Sequence, residues 1–376
     1  MAVIILSITE NMGFPRNDFI FQVKKDGHSD AFLKETLAYA AILDGKGLPV
    51  IFDRRHLAFM FDIDSNDLHR LVNHVSGYYK YFAIKKRRGG LRRIMSPYHN
   101  LRMIQEWIKK YILDKIEMPK CVTAFAKGRN TFLNAKIHEG KKFVLKVDIK
   151  NFFESIDVRR VYYIFLKIGY DKSVASCLAS LTTALIDDNK YDNLKEQPEV
   201  QKLFDELRGQ KYPFLIQGAP TSPSLANIVC DRMDKRFMGL ANINGFNYSR
   251  YADDMTFSAD NREQLPKFGM IRRIVESEGF RLNESKTELL HEGDRQIVTG
   301  LLVDGRVRVP GSYKKDIMRH IHFCKKYGGR EHFHRIAPGK AYGKEWLEGR
   351  IRYVHSVEPN VAKKMWEEFE KIDWFM

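Results

Sequence analysis

Two acidic residues side by side at the tip of a strand–turn–strand pattern constrain this chain most. Asp253 and Asp254 lie between residues 246–250 and 255–258, two short runs rich in aromatic and other strand-forming residues. The pattern reads as a β-hairpin with Tyr251-Ala252-Asp253-Asp254 at its turn. A third carboxylate, Asp148, ends another strand-like run, Phe143-Val-Leu-Lys-Val-Asp148. Carboxylates held close on rigid elements repel one another unless cations lie between them. Two Mg²⁺ ions about 3.5–4 Å apart, held in this way, recur wherever phosphoryl groups are transferred in line. The pattern points to a template-dependent nucleic-acid polymerase.

The charge balance agrees with that direction without proving it. Lys and Arg outnumber Asp and Glu by 63 to 47. A field of that sign favours a polyanionic partner and argues against an enzyme of small molecules alone. A basic surface with no nucleic acid on it would show the same excess. At 376 residues the chain holds two or three subdomains. The four cysteines at 121, 177, 230 and 324 form no CxxC pair, so they read as reduced residues of a cytoplasmic protein. The apolar start, residues 1–7, has no basic segment before it and is too short to span a bilayer. It reads as a first strand or a segment packed on the body, and no membrane partner is expected. His320/His322 and His332/His334 lack the cysteine pairs of a zinc finger, and no P-loop is present.

Several segments have clear local signatures. Residues 31–42 place apolar side chains at helical spacing, and Asp64-Ser65 resembles a capped helix start. Residues 78–84 and 91–97 read as two strands joined across the basic loop Lys85-Lys-Arg-Arg-Gly-Gly90. Arg92 and Arg93 fall on opposite faces of the second strand, so at most one meets a given ligand. A guanidinium there suits an incoming triphosphate or the template backbone, while a solvated basic turn is the plainer reading. Helices are expected near 98–116, 157–169, 172–187, 223–240 and from 313 onward. Residues 188–212 are polar and charged and read as an insertion on the surface. Residues 303–309 read as a hairpin with an Asp304-Gly305 turn, whose arginines line nucleic acid or face water.

Four further positions join the carboxylates as candidate site residues. The backbone carbonyl of Ile149 could ligate a metal together with Asp148. Phe153, five residues beyond Asp148, would place a flat ring near the sugar of the incoming nucleotide and exclude a 2′-hydroxyl; alone, Phe152-Phe153 reads as core. Gln217 opens Gln217-Gly-Ala-Pro-Thr-Ser-Pro223, where Gly218 allows close backbone approach and the glutamine offers a donor and an acceptor. Thr221 or Ser222 could cap the following helix, with Pro223 in its first turn. Lys286 could neutralise or protonate the leaving pyrophosphate. Asp253 is expected to bridge the metals with Asp148, and Asp254 to be more peripheral. The primer hydroxyl would be activated mainly by its metal, with no strong side-chain base.

In order and content these motifs resemble the reverse transcriptases, and most closely the bacterial retron branch. The likeness rests on Arg92-Arg-Ile-Met-Ser-Pro97, residues 148–153, residues 217–223, Tyr251-Ala-Asp-Asp254, and Gly279-Phe-Arg-Leu-Asn283 with Lys286. Asn134-Ala-Lys-Ile-His138 and Val298-Thr299-Gly300 look like retron hallmarks, which the family associates with RNA recognition. Without the family, Asn134 and His138 read as an exposed helical pair four residues apart. Trp346-Leu-Glu-Gly349, Tyr353 and Ser356 are similar to a retron thumb.

The resemblance implies an α+β right-hand polymerase fold of fingers, palm and thumb, its palm an antiparallel sheet with packed helices. On that plan 1–75 is an N-terminal extension, 76–142 the fingers with the basic hairpin, 143–310 the palm with interleaved fingers elements and the 188–212 insertion, and 311–376 a helical thumb. It implies dNTP substrates and two Mg²⁺ ions, with Mn²⁺ as a substitute. It also implies copying of a dedicated non-coding RNA (msr-msd) from a guanosine 2′-hydroxyl, which leaves a branched RNA–DNA molecule (msDNA). A separate effector protein in anti-phage defence and a host RNase H for trimming complete the implied partners. Rival readings are a defence-associated reverse transcriptase outside the retrons, a group II intron-like enzyme, for which no maturase extension is seen, and a non-catalytic RNA-binding scaffold.

Overall fold

The computed structural model describes residues 14–86, 89–337 and 343–374. The apolar start at 1–7 and the arginines of the basic loop, Arg87 and Arg88, lie outside the described residues. Among the described residues there are ten strands: β1 (Tyr79–Lys85), β2 (Leu91–Pro97), β3 (Phe143–Asp148), β4 (Thr183–Ala184), β5 (Phe214–Leu215), β6 (Asn247–Tyr251), β7 (Asp254–Ala259), β8 (Glu288–Leu290), β9 (Ile297–Val298) and β10 (Leu301–Leu302).

The central sheet is antiparallel, with strand order β6-β7-β3-β8. Five of the six β7 residues are buried, because helices cover the sheet. Phe237, on the helix Asp231–Asn244, meets the Phe257 ring edge-on at 5.2 Å. Ile271, Ile274 and Val275 of the helix Phe268–Ser277 are buried in the same core. Gly245 ends the helix Asp231–Asn244 at φ +73, a left-handed conformation suited to glycine, and turns the chain into β6.

Two cores organise the described residues. The larger runs from Leu43 to Phe280 and includes β1, β2, the central sheet and the helices around it. Helices 30–44, 54–60 and 65–73 contribute Leu43, Leu57, Leu68 and Leu71 to it, so much of the expected N-terminal extension is integral to the main body. Asp64 caps the third of these helices through the Asn66 amide, as its sequence suggests. The smaller core gathers Val298, Leu301, Val307 and Val309 with the four C-terminal helices Gly311–Tyr327, Gly329–Ile336, Gly343–His355 and Pro359–Phe369.

The polar stretch 188–212 corrects the reading of a surface insertion. It forms the helices Asp188–Asp192 and Pro198–Arg208. Phe204 is fully buried and stacks on Tyr81 of β1, with ring centroids 5.1 Å apart. Three apolar anchors, Leu194, Phe204 and Leu207, hold an otherwise charged segment against the body.

Candidate active site

The three carboxylates meet at one end of the two inner strands of the central sheet. Asp148, the last residue of β3, lies directly opposite Asp254, the first of β7. The Ile149 amide donates to the Asp253 carbonyl at 3.0 Å, just beyond this pair. That bond marks the closer type of antiparallel pairing, with Cα atoms about 4.5 Å apart. Ala252 sits at φ +59, a conformation rare for a residue with a β-carbon. Asp148 is buried, Asp253 half-buried and Asp254 exposed.

Burial, then the charges of Asp254 and Asp148, push the Asp253 carboxyl up from 3.8 to about 7. Lys286 donates to Asp148 Oδ2 at 2.8 Å, and Asn283 Nδ2 donates to Asp148 Oδ1 at 3.1 Å. Partial burial disfavours the Lys286 ammonium, but its bond to Asp148 and the fields of Asp253 and Asp254 outweigh that, and its pKa rises. Among the described residues no group of three His, Cys, Asp or Glu side chains is already arranged to hold a metal ion. The donor set nevertheless suits a hard divalent cation: oxygen-only, open to one side, with one carboxyl whose proton a cation would displace.

The flanking loops place the remaining candidates. The Phe153 ring is partly buried and lies 5.3 Å from Phe152, which packs 5.8 Å from Phe280. The Gln217 carbonyl accepts from the Met95 amide at 3.0 Å, fastening this loop to β2. Gly218, at φ +123, leaves no room for a side chain: a β-carbon there would stand 2.6 Å from the Met95 carbonyl oxygen. Pro223 occupies the first turn of the helix Ser222–Val229, as expected. Capping by Thr221 or Ser222 does not occur; both hydroxyls are buried without a hydrogen-bond partner.

Arg92 and Arg93 diverge as strand alternation requires. Arg92 is exposed. Arg93 turns inward, where Glu154 Oε1, Asn151 Oδ1 and the Leu203 carbonyl accept from all three of its nitrogens. The expectation that Arg93 contacts the nucleotide is therefore corrected for this conformation, because its guanidinium is already engaged by the protein.

Asn134 and His138 are not an exposed pair. The helix Thr131–Ile137 presents Asn134 to the interior, and both residues are essentially inaccessible to solvent. Ser249 and Thr123 donate to Asn134 Oδ1 at 2.6 and 2.7 Å. Since the Ser249 proton is used there, His138 Nε2 donates to Ser249, and the Ser258 hydroxyl donates to His138 Nδ1, each at 2.7 Å. Burial holds this neutral imidazole down at about 3. Asn134 Nδ2 reaches Thr299 Oγ1 at 3.4 Å, and Thr299 donates to the Thr131 carbonyl. The two strings are thus joined to each other and to the β6–β7 hairpin. Val298 is fully buried; Thr299 and Gly300 form the β9–β10 turn, both at positive φ, with Gly300 exposed. Direct RNA contact through Asn134, His138 or the Val298 side chain is a corrected expectation: hydrogen bonds and packing inside the protein occupy them.

Residues that sequence reading passed over complete the site. Arg250 is fully buried, donating to both Asp234 oxygens at 2.7–3.2 Å, to Asn227 Oδ1 at 2.9 Å and to the Ala252 carbonyl at 3.1 Å. It thereby anchors the turn that carries Asp253. A charged residue inside an aromatic strand was the available signal. Asn283 was visible only as part of a longer motif, and Glu154 only as an acid beside Phe153.

An antiparallel sheet whose two inner strands bring three carboxylates together at one end, with a lysine beside them, is the palm of a right-hand polymerase. A family model for reverse transcriptase (RNA-dependent DNA polymerase) matches residues 84–333. The Retron Mx162 reverse transcriptase of Myxococcus xanthus is 33% identical over 310 residues, 77% of this chain and 60% of that protein. The Retron Mx65 reverse transcriptase of the same organism is 31% identical over 340 residues, covering 89% of this chain and 75% of that protein. The Retron Ec86 reverse transcriptase of Escherichia coli is 30% identical over 292 residues, covering 76% and 83%. The chain belongs to the reverse transcriptase family, among the retron enzymes.

Proposed function

We propose that this chain copies part of a cognate structured non-coding RNA into DNA, starting from a guanosine 2′-hydroxyl and yielding a branched RNA–DNA product. The observation that carries the polymerase reading is the cross-strand pair Asp148–Asp254 with Asp253 at the intervening turn and Lys286 on Asp148. Asp148, Asp253, Asp254 and the Ile149 carbonyl would hold two Mg²⁺ ions, with Mn²⁺ as substitute. The chemistry such ions would supply there is a lowered pKa for the primer hydroxyl and neutralisation of charge on the triphosphate. Asp148 and Asp253 would be the main ligands, with Asp254, the exposed member, in a lesser role. Lys286, held 2.8 Å from Asp148, stands ready to neutralise the leaving pyrophosphate. Phe153 sits against the sugar and selects deoxynucleotides. Gln217 hydrogen-bonds the nucleotide or template, and Arg92, exposed on β2, meets phosphate.

The backbone of the Thr299-Gly300 turn, where Gly300 is exposed, is the part of the retron strings available to RNA. The excess of basic residues suits that partner. Among the described residues no helix is long and apolar enough to cross a membrane. Action with a separate effector in phage defence, and trimming of the RNA by a host RNase H, follow from the retron reading. The test is to sequence the nucleic acid retained by the purified protein and assay it for a 2′–5′ linkage. A branched RNA–DNA species is expected. Linear RNA alone, in protein competent for primer extension, would favour a reverse transcriptase of another role.

A further inference from the structure

The turn that carries Phe153 is tied to the fingers by one half-hidden ion pair. Glu154, the next residue, has a side chain only 7% exposed, and Arg93 on β2 is 16% exposed. Arg93 Nη2 and Nε both donate to Glu154 Oε1, at 2.9 and 3.1 Å. Nη2 also reaches Asn151 Oδ1 at 3.3 Å, on the other side of Phe153. Nη1 donates to the Leu203 carbonyl at 3.2 Å, on the helix Pro198–Arg208.

The turn itself is tight and unusual. Asn151 stands at φ +47, its carbonyl accepts from the Ser155 amide at 2.8 Å, and the Phe153 carbonyl accepts from the Ile156 amide at 3.0 Å. A backbone in a sparsely populated conformation persists where its surroundings over-determine it. Here Arg93 grips it at both ends, two residues before Phe153 and one after. Two residues further along β2, Met95 holds the Gln217 loop through its backbone. One strand therefore registers both loops of the expected nucleotide site, by a side chain at Arg93 and by the backbone at Met95.

We propose that Arg93 and Glu154 are the positioning pair of the nucleotide gate: by locking residues 151–156 onto β2 they set the Phe153 ring, and with it discrimination between deoxy- and ribonucleotides. Arg93 in this role is not a phosphate ligand. An ammonium in its place would lose the planar fork that spans Asn151 and Glu154. The inference rests on Phe153 being the gate, so its test carries that residue as a separate arm.

The experiment measures kcat/KM for one dNTP and for the matching rNTP on a primed template. It compares the intact chain, Arg93→Lys, Glu154→Gln, their double variant and Phe153→Ala, with a thermal melt for each. Glu154→Asp serves if Glu154→Gln does not fold. Phe153→Ala is expected to lower the dNTP/rNTP ratio most. Each single pair variant should lower it on the order of tenfold, since a misplacement of about 1 Å costs up to about a hundredfold. The double variant should be no worse than the more severe single one, because both break the same bond. If Phe153→Ala lowers the ratio while both pair variants keep it, the positioning role is wrong and the gate stands. If Phe153→Ala keeps the ratio, the gate falls and this inference with it. If Arg93→Lys raises dNTP KM while Glu154→Gln does not, Arg93 is a phosphate ligand and the proposal is overturned.

Discussion

The β6–β7 hairpin keeps charge in two opposite ways within five residues. At Arg250 the charge is closed: it is fully buried, and Asp234, Asn227 and the Ala252 carbonyl take four of its five N–H groups. At Asp253 and Asp254 the charge is open: like carboxylates crowd one another and Asp148 across the strands. The first arrangement spends its electrostatics on geometry, because a buried pair with nearly all its bonds made has a single low-energy shape. The second retains repulsion that a divalent cation can relieve. The contrast teaches where to look for chemistry in this fold: charges the protein has already satisfied hold the frame, and charges it leaves opposed are directed at something outside the chain.

The sharpest way to break the comparison is to neutralise one member of the open set. Asp253→Asn should reduce primer extension by a factor on the order of a thousand or more, consistent with loss of a metal-bridging ligand. Its thermal melt should stay at or above that of the parent chain. Extension within tenfold of the parent would remove Asp253 from catalysis.

The closed set should respond the other way. Arg250→Met strands Asp234 without its cation in the core, and removing one partner of a buried pair typically costs about 3–5 kcal/mol. The urea midpoint should fall accordingly, and polymerisation should fall with the fold. Arg250→Met/Asp234→Leu should recover part of the stability, because no charge is then left alone. A double variant less stable than the single would mean the pair contributes more than mutual neutralisation.

A third test concerns the neutral network behind the hairpin. His138 is held near 3, well under the 6.5 it would have unfolded. The sign follows: the unfolded chain takes up a proton below pH 6.5 that the folded chain refuses until about pH 3. Its contribution is whole above 6.5 and is lost as pH falls toward 3, at roughly 1.4 kcal/mol per unit. Lowering the pH from 7.5 to 5 should therefore cost about 2 kcal/mol, and His138→Gln should flatten that dependence. An unchanged slope in differential scanning calorimetry would place the acid sensitivity elsewhere.

These regions were unequally legible in the sequence. Asp148, Asp253 and Asp254 stood out because the first ends a short strand and the other two sit at a hairpin turn, and the structure pairs those strands so that the three meet. Lys286 was readable from its motif, and the structure sets it on Asp148. What periodicity could not show was the partner of an inward side chain. Arg93 pairs with an acid 61 residues away, and His138 with serines 111 and 120 residues away. Alternation divided Arg92 from Arg93 without saying which one faced inward. In residues 188–212 charge masked a helix whose hold on the body depends on a few apolar anchors, Phe204 foremost. Asn134 and His138 looked like surface groups because helical spacing alone carries no information about depth.

The smallest expected effect bears most directly on the open set. Burial and its neighbours raise Asp253 to about 7 from an unfolded value of 3.8. The folded chain therefore keeps a proton between those values that the unfolded chain releases, and stability falls as pH rises from about 4 to about 7. Because this carboxyl is only half-buried, solvent screens much of the effect. In protein stripped with a chelator, raising the pH from 5 to 8 should lower the melting temperature of the parent by roughly 1–3 °C more than that of Asp253→Asn. Adding Mg²⁺ at pH 8 should reverse the difference, since a cation binds the deprotonated form and stabilises the state it binds. Mg²⁺ should do less at pH 5, where it competes with the proton. An equal Mg²⁺ response in both proteins at both pH values would mean that the repulsion at this hairpin tip is relieved from within the chain, and the distinction between closed and open charge would fail at the place it matters most.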